Sequence, residues 1–166
     1  MHDAHLTNQL TLALPVEADT LAIGAQLAAL LKPGMVLWLE GDLGAGKTTL
    51  VRGLLRAAGE TGAVKSPTYT LVELHVVSGL NFYHFDFYRF NYPEEYLEAG
   101  LDEYFSGGGI CLVEWPDKAA PYLPSADLCI ALSVVGESRT VTLSAGSERG
   151  RTCLAGVTSS SLPPPA

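Results

Sequence analysis

Lys47, Thr48 and Thr49 sit in the stretch GDLGAGKTTL, residues 41–50, just behind a run in which three of six residues are glycine. The spacing fits G-x-x-x-x-G-K-[ST], read as Gly41, Asp42, Leu43, Gly44, Ala45, Gly46, Lys47 and Thr48, with Thr49 following. Such a loop suits a polyphosphate. Glycines let backbone N–H groups turn inward where a Cβ would block close approach. The first amides of a following helix add partial positive charge, Lys47 reaches toward the β- and γ-phosphates, and the Thr48 hydroxyl is a ligand for Mg²⁺. The competing reading is an ordinary glycine turn that closes a strand.

The flanking segments decide between the two. Before the loop, GMVLWLE is an apolar run of strand length behind the turn Lys32-Pro33-Gly34. After it, KTTLVRGLLRAAG carries Leu50, Val51, Leu54, Leu55 and Ala58 at helical spacing. Strand, glycine loop and helix therefore follow in the order that nucleotide binding requires.

Phosphate chemistry also needs an acidic partner for the metal and a group that positions water. The apolar run ICLVEW ends a strand in Glu114, the expected place for such a carboxylate. A strand-terminal acid with no such role is the plain alternative. Asp86 is the second candidate. Placing Gly79-Leu80 at a tight type II′ turn sets His75 opposite His84 and Glu73 opposite Asp86. One face of that hairpin then holds Val72, Leu74, Val76, Tyr83, Phe85 and Phe87 and is the core-like one. The other carries Glu73, His75, Val77, Phe82, His84 and Asp86, so Asp86 is expected to meet ligand or solvent.

Several further elements must hold these groups in place. QLTLALP alternates like a strand, and Asp19 or Thr20 is placed to cap a helix to about Leu31 with Leu21, Ala25, Ala28 and Leu31 as its inner stripe. YPEEYLEAGLDEYF reads as an acidic helix with Pro93 in its first turn and Gly100 interrupting it. DLCIALSV and RTVTLSA supply two closing strands. The sum is an α/β fold: a single P-loop NTPase-like domain with a mixed sheet of about seven strands flanked by helices.

Composition bounds the rest. A chain of 166 residues with 48% hydrophobic content suits one domain with a real core. Residues 1–146 are expected to form the P-loop domain, and 147–166, rich in Gly, Ser and Pro, a disordered tail. The net charge of −8 argues against a broad nucleic-acid footprint, so any nucleic acid is expected to be held by a partner. Cys111, Cys129 and Cys153 lack metal spacing and read as reduced thiols of a cytoplasmic protein. No apolar stretch reaches membrane-spanning length, the N-terminus lacks a signal-peptide pattern, and His2 and His5 read as solvated residues.

Together GDLGAGKTTLVRGL, SPTYTLV, YHFDFYR and VEWPDK resemble the TsaE (YjeE) family of bacterial ATPases, in order and spacing, over residues 17 to 145. The resemblance implies an ATP- and Mg²⁺-dependent hydrolase that supports the threonylcarbamoyl modification of an adenosine in tRNA. It further implies work with TsaB and TsaD proteins, TsaD being the one that transfers the group to tRNA. By the family pattern Lys47 and Thr48 hold phosphate and Mg²⁺, while Asp86 and Glu114 are the acidic partners of metal and water, so that Glu114, Lys47 and Asp86 carry the chemistry. SPTYT corresponds to a mobile, switch-like loop, Trp115 to a tryptophan beside the site, and Thr20 and Gly24 to the neighbourhood of the adenine. Phe87 departs from the pattern, standing where Leu is common.

Two other function classes compete with this one. A small-molecule kinase shares the loop and the sheet but uses a lid and several arginines, whereas only Arg52, Arg56, Arg89 and Arg139 fall inside the predicted fold. A non-catalytic, nucleotide-dependent binding module is the other. A GTPase is disfavoured because no N-K-x-D segment is present.

Overall fold

The computed structural model describes residues 8–158. Strands β1 (Gln9–Leu14), β2 (Val36–Glu40), β3 (Val72–Val77), β4 (Leu80–Asp86), β5 (Ile110–Glu114), β6 (Leu128–Val135) and β7 (Ser138–Ala145) form one sheet. Its order is β1-β7-β6-β2-β5-β4-β3. The four central strands β6, β2, β5 and β4 run parallel, while β1, β7 and β3 pair antiparallel toward the edges. The mixed seven-stranded α/β fold is thus present.

The sheet is covered on both faces, as its parallel centre requires. Alternation along β2 sorts the core: Leu37 and Leu39 face one cluster, Val36 and Trp38 the other. The first cluster is closed by helices α1 (Glu17–Ala28), α2 (Lys47–Ala58) and α4 (Glu148–Ala155), through Ile23, Leu27, Leu50, Leu54 and Leu154. The second is aromatic, with Phe85, Phe87 and Phe90 packed with Tyr96 of the short helix α3 (Glu95–Glu98) and with a 3₁₀ turn over Leu101–Phe105. Gly100, in the left-handed region at φ 71°, breaks the acidic segment between the two. β5 is buried at every residue, so the strand that ends in Glu114 runs through the middle of the core.

Four expectations need correction. The inner stripe of α1 is Asp19, Thr20, Ile23, Gly24 and Leu27, one helical face round from the apolar positions, because α1 meets α2 backbone to backbone. A Cβ on Gly24 would lie 2.2 Å from the Leu50 carbonyl oxygen, so a residue that looked like a base-pocket lining is a helix-packing contact. The β3–β4 turn sits at Ser78 and Gly79, both at positive φ as a type I′ turn demands, which shifts the register by two residues to Glu73↔His84 and His75↔Phe82. A shift of two keeps every side chain on its face. Burial, however, reverses along β3: Leu74 and Val76 are exposed at this sheet edge, while His75, Val77, Phe82, His84 and Asp86 are covered.

The fourth correction concerns the tail. Residues 148–155 form α4, capped by Ser147, whose hydroxyl accepts from the Gly150 amide and donates to Asp127 Oδ1 at 2.7 Å. Cys153, Leu154 and Val157 join the main core. The ordered fold therefore continues past residue 146 to at least 158; the remainder of the expected tail, and His2 and His5, lie outside the described residues. The three cysteines are free thiols, and burial pushes Cys111 up to about 12 and Cys153 up to about 11. Among the described residues no helix is long and apolar enough to cross a membrane.

Candidate functional site

The glycine loop joins β2 to α2 at the carboxyl end of the parallel strands, where ligands collect in open α/β sheets. Gly46 is the N-cap of α2 at φ 108°, a conformation that a residue with a Cβ would resist. With no side chain capping this end, the first amides of α2 stay directed into the loop. The helix is fixed by Leu50, Val51, Leu54 and Leu55, all fully buried against the sheet.

Lys47 folds back across the loop, donating to the Gly41 carbonyl and, at 3.2 Å, to the Asp42 carbonyl. Its ammonium also lies 4.1 Å from the centre of the Trp115 ring. Burial pushes the Lys47 ammonium below the ordinary lysine range, opposed by the charges of Glu114, Asp86, Asp42 and Asp117. A lysine held this way keeps its amine end beside the glycine loop.

The carboxylates arrive from the neighbouring strands. Parallel pairing of β4 with β5 sets Asp86 directly opposite Glu114, and each is only 3% exposed. Glu114 Oε2 accepts from the Thr48 hydroxyl at 3.1 Å, so the second motif touches the phosphate loop itself. His84 Nε2 lies 2.6 Å from the same oxygen. Asp86 Oδ2 accepts from the hydroxyls of Ser66 and Thr68, the latter at 3.2 Å, and Asp86 Oδ1 accepts from the Tyr88 amide at 2.9 Å. Trp115 follows Glu114 in the left-handed region at φ 60°, an uncommon state for a side-chain-bearing residue that turns its ring over Lys47 and against Tyr88.

These groups share one cavity of about 350 Å³, lined by Leu43, Gly44, Gly46, Lys47, Thr48 and Thr49 on one side and Ser66, Thr68, Asp86, Tyr88, Glu114 and Trp115 on the other. The oxygen set of Thr48, Asp86 and Glu114 is hard, as Mg²⁺ binding demands, and leaves room for phosphate oxygens and water. A second cavity of about 240 Å³ lies across the loop between Thr20, Gly44, Ala45, Gly46, Thr49, Glu137 of the β6–β7 turn and Arg139 at the start of β7. Thr20 stays on this rim although Gly24 does not. Asp42 lines neither cavity; it meets Lys47 through its carbonyl and acts on the ammonium through its charge.

Reasoning from sequence missed His84, the Ser66 and Thr68 hydroxyls, and Arg139, whose guanidinium donates to the Gly44 carbonyl at 3.3 Å. A histidine two residues before Asp86 on the same strand face was the one available signal for His84.

The family model for threonylcarbamoyl adenosine biosynthesis protein TsaE matches residues 14–141. The chain belongs to the TsaE family. A tRNA threonylcarbamoyladenosine biosynthesis protein TsaE of Haemophilus influenzae is 42% identical over 147 residues, covering 86% of this chain and 93% of the relative. Its Bacillus subtilis counterpart is 44% identical over 132 residues, 79% of this chain and 82% of the relative. The crystal structure of Bacillus subtilis YdiB superposes with a TM-score of 0.78 at 37% identity, over 92% of this chain and 95% of that one. A mixed-sheet, P-loop NTPase-like fold is common to the two chains.

Proposed function

We propose that this TsaE family member is a Mg²⁺-dependent ATPase of the cytoplasm that supports tRNA N6-threonylcarbamoyladenosine modification by cycling on a TsaB–TsaD-type complex. The role in the modification rests on what the relatives are named for. The observation that carries the hydrolytic reading is the convergence of Lys47, Thr48, Asp86 and Glu114 on one cavity beside the helix N-terminus.

In this reading the loop amides and Lys47 bind the β- and γ-phosphates, and Thr20 borders the base. Thr48, Asp86 and Glu114 hold Mg²⁺, which neutralises charge developing on the phosphates when bound. Glu114, on the Trp115 side, orients the attacking water. Asp42, Leu43, Gly44, Ala45, Gly46 and Thr49 shape the cradle.

The supply of positive charge supports dependence on a partner. Fast phosphoryl transfer needs a cation on the transition state beyond the loop lysine. Arg52 donates to the Val64 carbonyl, Arg56 to Glu60 and Gly62, Arg139 to Gly44, and Arg89 stacks on Tyr69 at 4.3 Å. None of these four lines the cavity that holds Lys47. The acidic chain has little means to hold tRNA directly, so tRNA enters through the protein partners. The test is ATP binding and phosphate release by wild type and Lys47→Ala with and without Mg²⁺. Equal binding by the two proteins, or hydrolysis indifferent to Mg²⁺, would contradict the reading.

A further inference from the structure

We infer that His84 is a positioning residue for Glu114, a role that deepens the ATPase reading above and rests on it. His84 is fully buried in β4 and reaches diagonally past its own strand partner, Leu112, to Glu114 Oε2 at 2.6 Å. An ionised carboxylate only accepts, so both of the neighbours on that oxygen, the Thr48 hydroxyl and the His84 ring, donate to it. His84 Nδ1 is buried with no hydrogen-bond partner. A buried ring with one nitrogen unpaired is costly at a site an apolar side chain would fill, so its single bond to Glu114 is what the ring contributes.

That bond determines where the carboxylate points. With Oε2 pinned between Thr48 and His84, Glu114 Oε1 is the less engaged oxygen, 3.4 Å from the Thr48 hydroxyl. The Glu114 backbone is fixed as well, its carbonyl accepting from the Phe87 amide at 3.1 Å. In a side chain only 3% exposed, rotation about the last bond is the freedom that swings the two oxygens, and the imidazole restricts it together with the Thr48 hydroxyl. Residues behind a functional ligand commonly tune it in this way, and their loss lowers activity by about 10- to 100-fold.

The test compares His84→Leu, His84→Gln, Glu114→Gln and the double variants, in the full chain with the TsaB–TsaD-type complex present. Thermal melting confirms folding in each, and His84→Gln, which keeps a side-chain N–H donor, carries the test alone if His84→Leu does not fold. His84→Leu is expected to hold ATP within about twofold of wild type while kcat falls about 10- to 100-fold. His84→Gln is expected to recover part of that loss. In the Glu114→Gln background the His84 changes should have little further effect, since coupled residues are non-additive. In the protein without nucleotide, the hydrogen-bonded His84 ring proton should give a protected NMR signal that moves in Glu114→Gln. Wild-type kcat in His84→Leu, or losses that simply add to those of Glu114→Gln, would overturn the inference while leaving the ATPase reading intact. Absence of hydrolysis by the wild-type chain with its partners would overturn both.

Discussion

The phosphate loop and the SPTYT segment face each other across the same cavity, yet they are held by different forces. The loop is backbone and core: its helix is pinned by four fully buried aliphatic residues, and its lysine is bonded to its own carbonyls. SPTYT is held by hydroxyls. Ser66 and Thr68 both donate to Asp86, Leu71 closes the segment through a bond from its amide to the Pro67 carbonyl at 2.8 Å, and Tyr69 is 80% exposed. These hydrogen bonds are each worth about 0.5–1.5 kcal/mol net, less than the burial of the aliphatic residues that hold the opposite wall. We propose that the core-held wall serves binding and the hydroxyl-held wall serves control of rate.

Substitutions can break this division. Glu114→Gln should leave ATP affinity near wild type and lower kcat by about 100-fold or more, the scale of general acid–base contributions. Matched affinity and rate losses in titration and single-turnover assays would make Glu114 part of the binding wall instead. Lys47→Ala should lower affinity by roughly 10- to 100-fold, the scale of charged hydrogen bonds of about 1.5–3 kcal/mol. Circular dichroism should show the fold unchanged, because Lys47 bonds only to loop carbonyls and packs on Trp115 at the site. Thr68→Val should be the mildest, removing one hydroxyl bond and speeding hydrogen exchange of residues 66–70 by about threefold to tenfold. Unchanged exchange would mean that the hydroxyls do not hold this wall.

The contrast also explains what could be read from sequence. The loop is contiguous, so its residue types announce it, and the strands follow from apolar runs such as ICLV. Features created by tertiary contact were harder to see. The α1 face turned because Gly24 permits close approach to α2, which no apolar stripe encodes. The hairpin turn fell on Ser78, a residue that adopts positive φ only under constraint from its neighbours. The last helix was hidden by composition: Gly150, taken as a mark of disorder, is needed where α4 crosses the Asp127 carbonyl. His84 shares the hairpin face of Asp86, the one that sequence leaves open to ligand or solvent, but its meaning depends on the β4–β5 register that brings Glu114 within reach.

We propose that this chain binds ATP by itself and hydrolyses it at speed only when a partner acts on the site. The direct measurement is phosphate release by the pure protein, then with tRNA, then with the TsaB–TsaD-type complex. Slow turnover in the first two conditions and a large increase in the third is the predicted result. Full activity of the protein alone, or stimulation by tRNA without the protein partners, would contradict it.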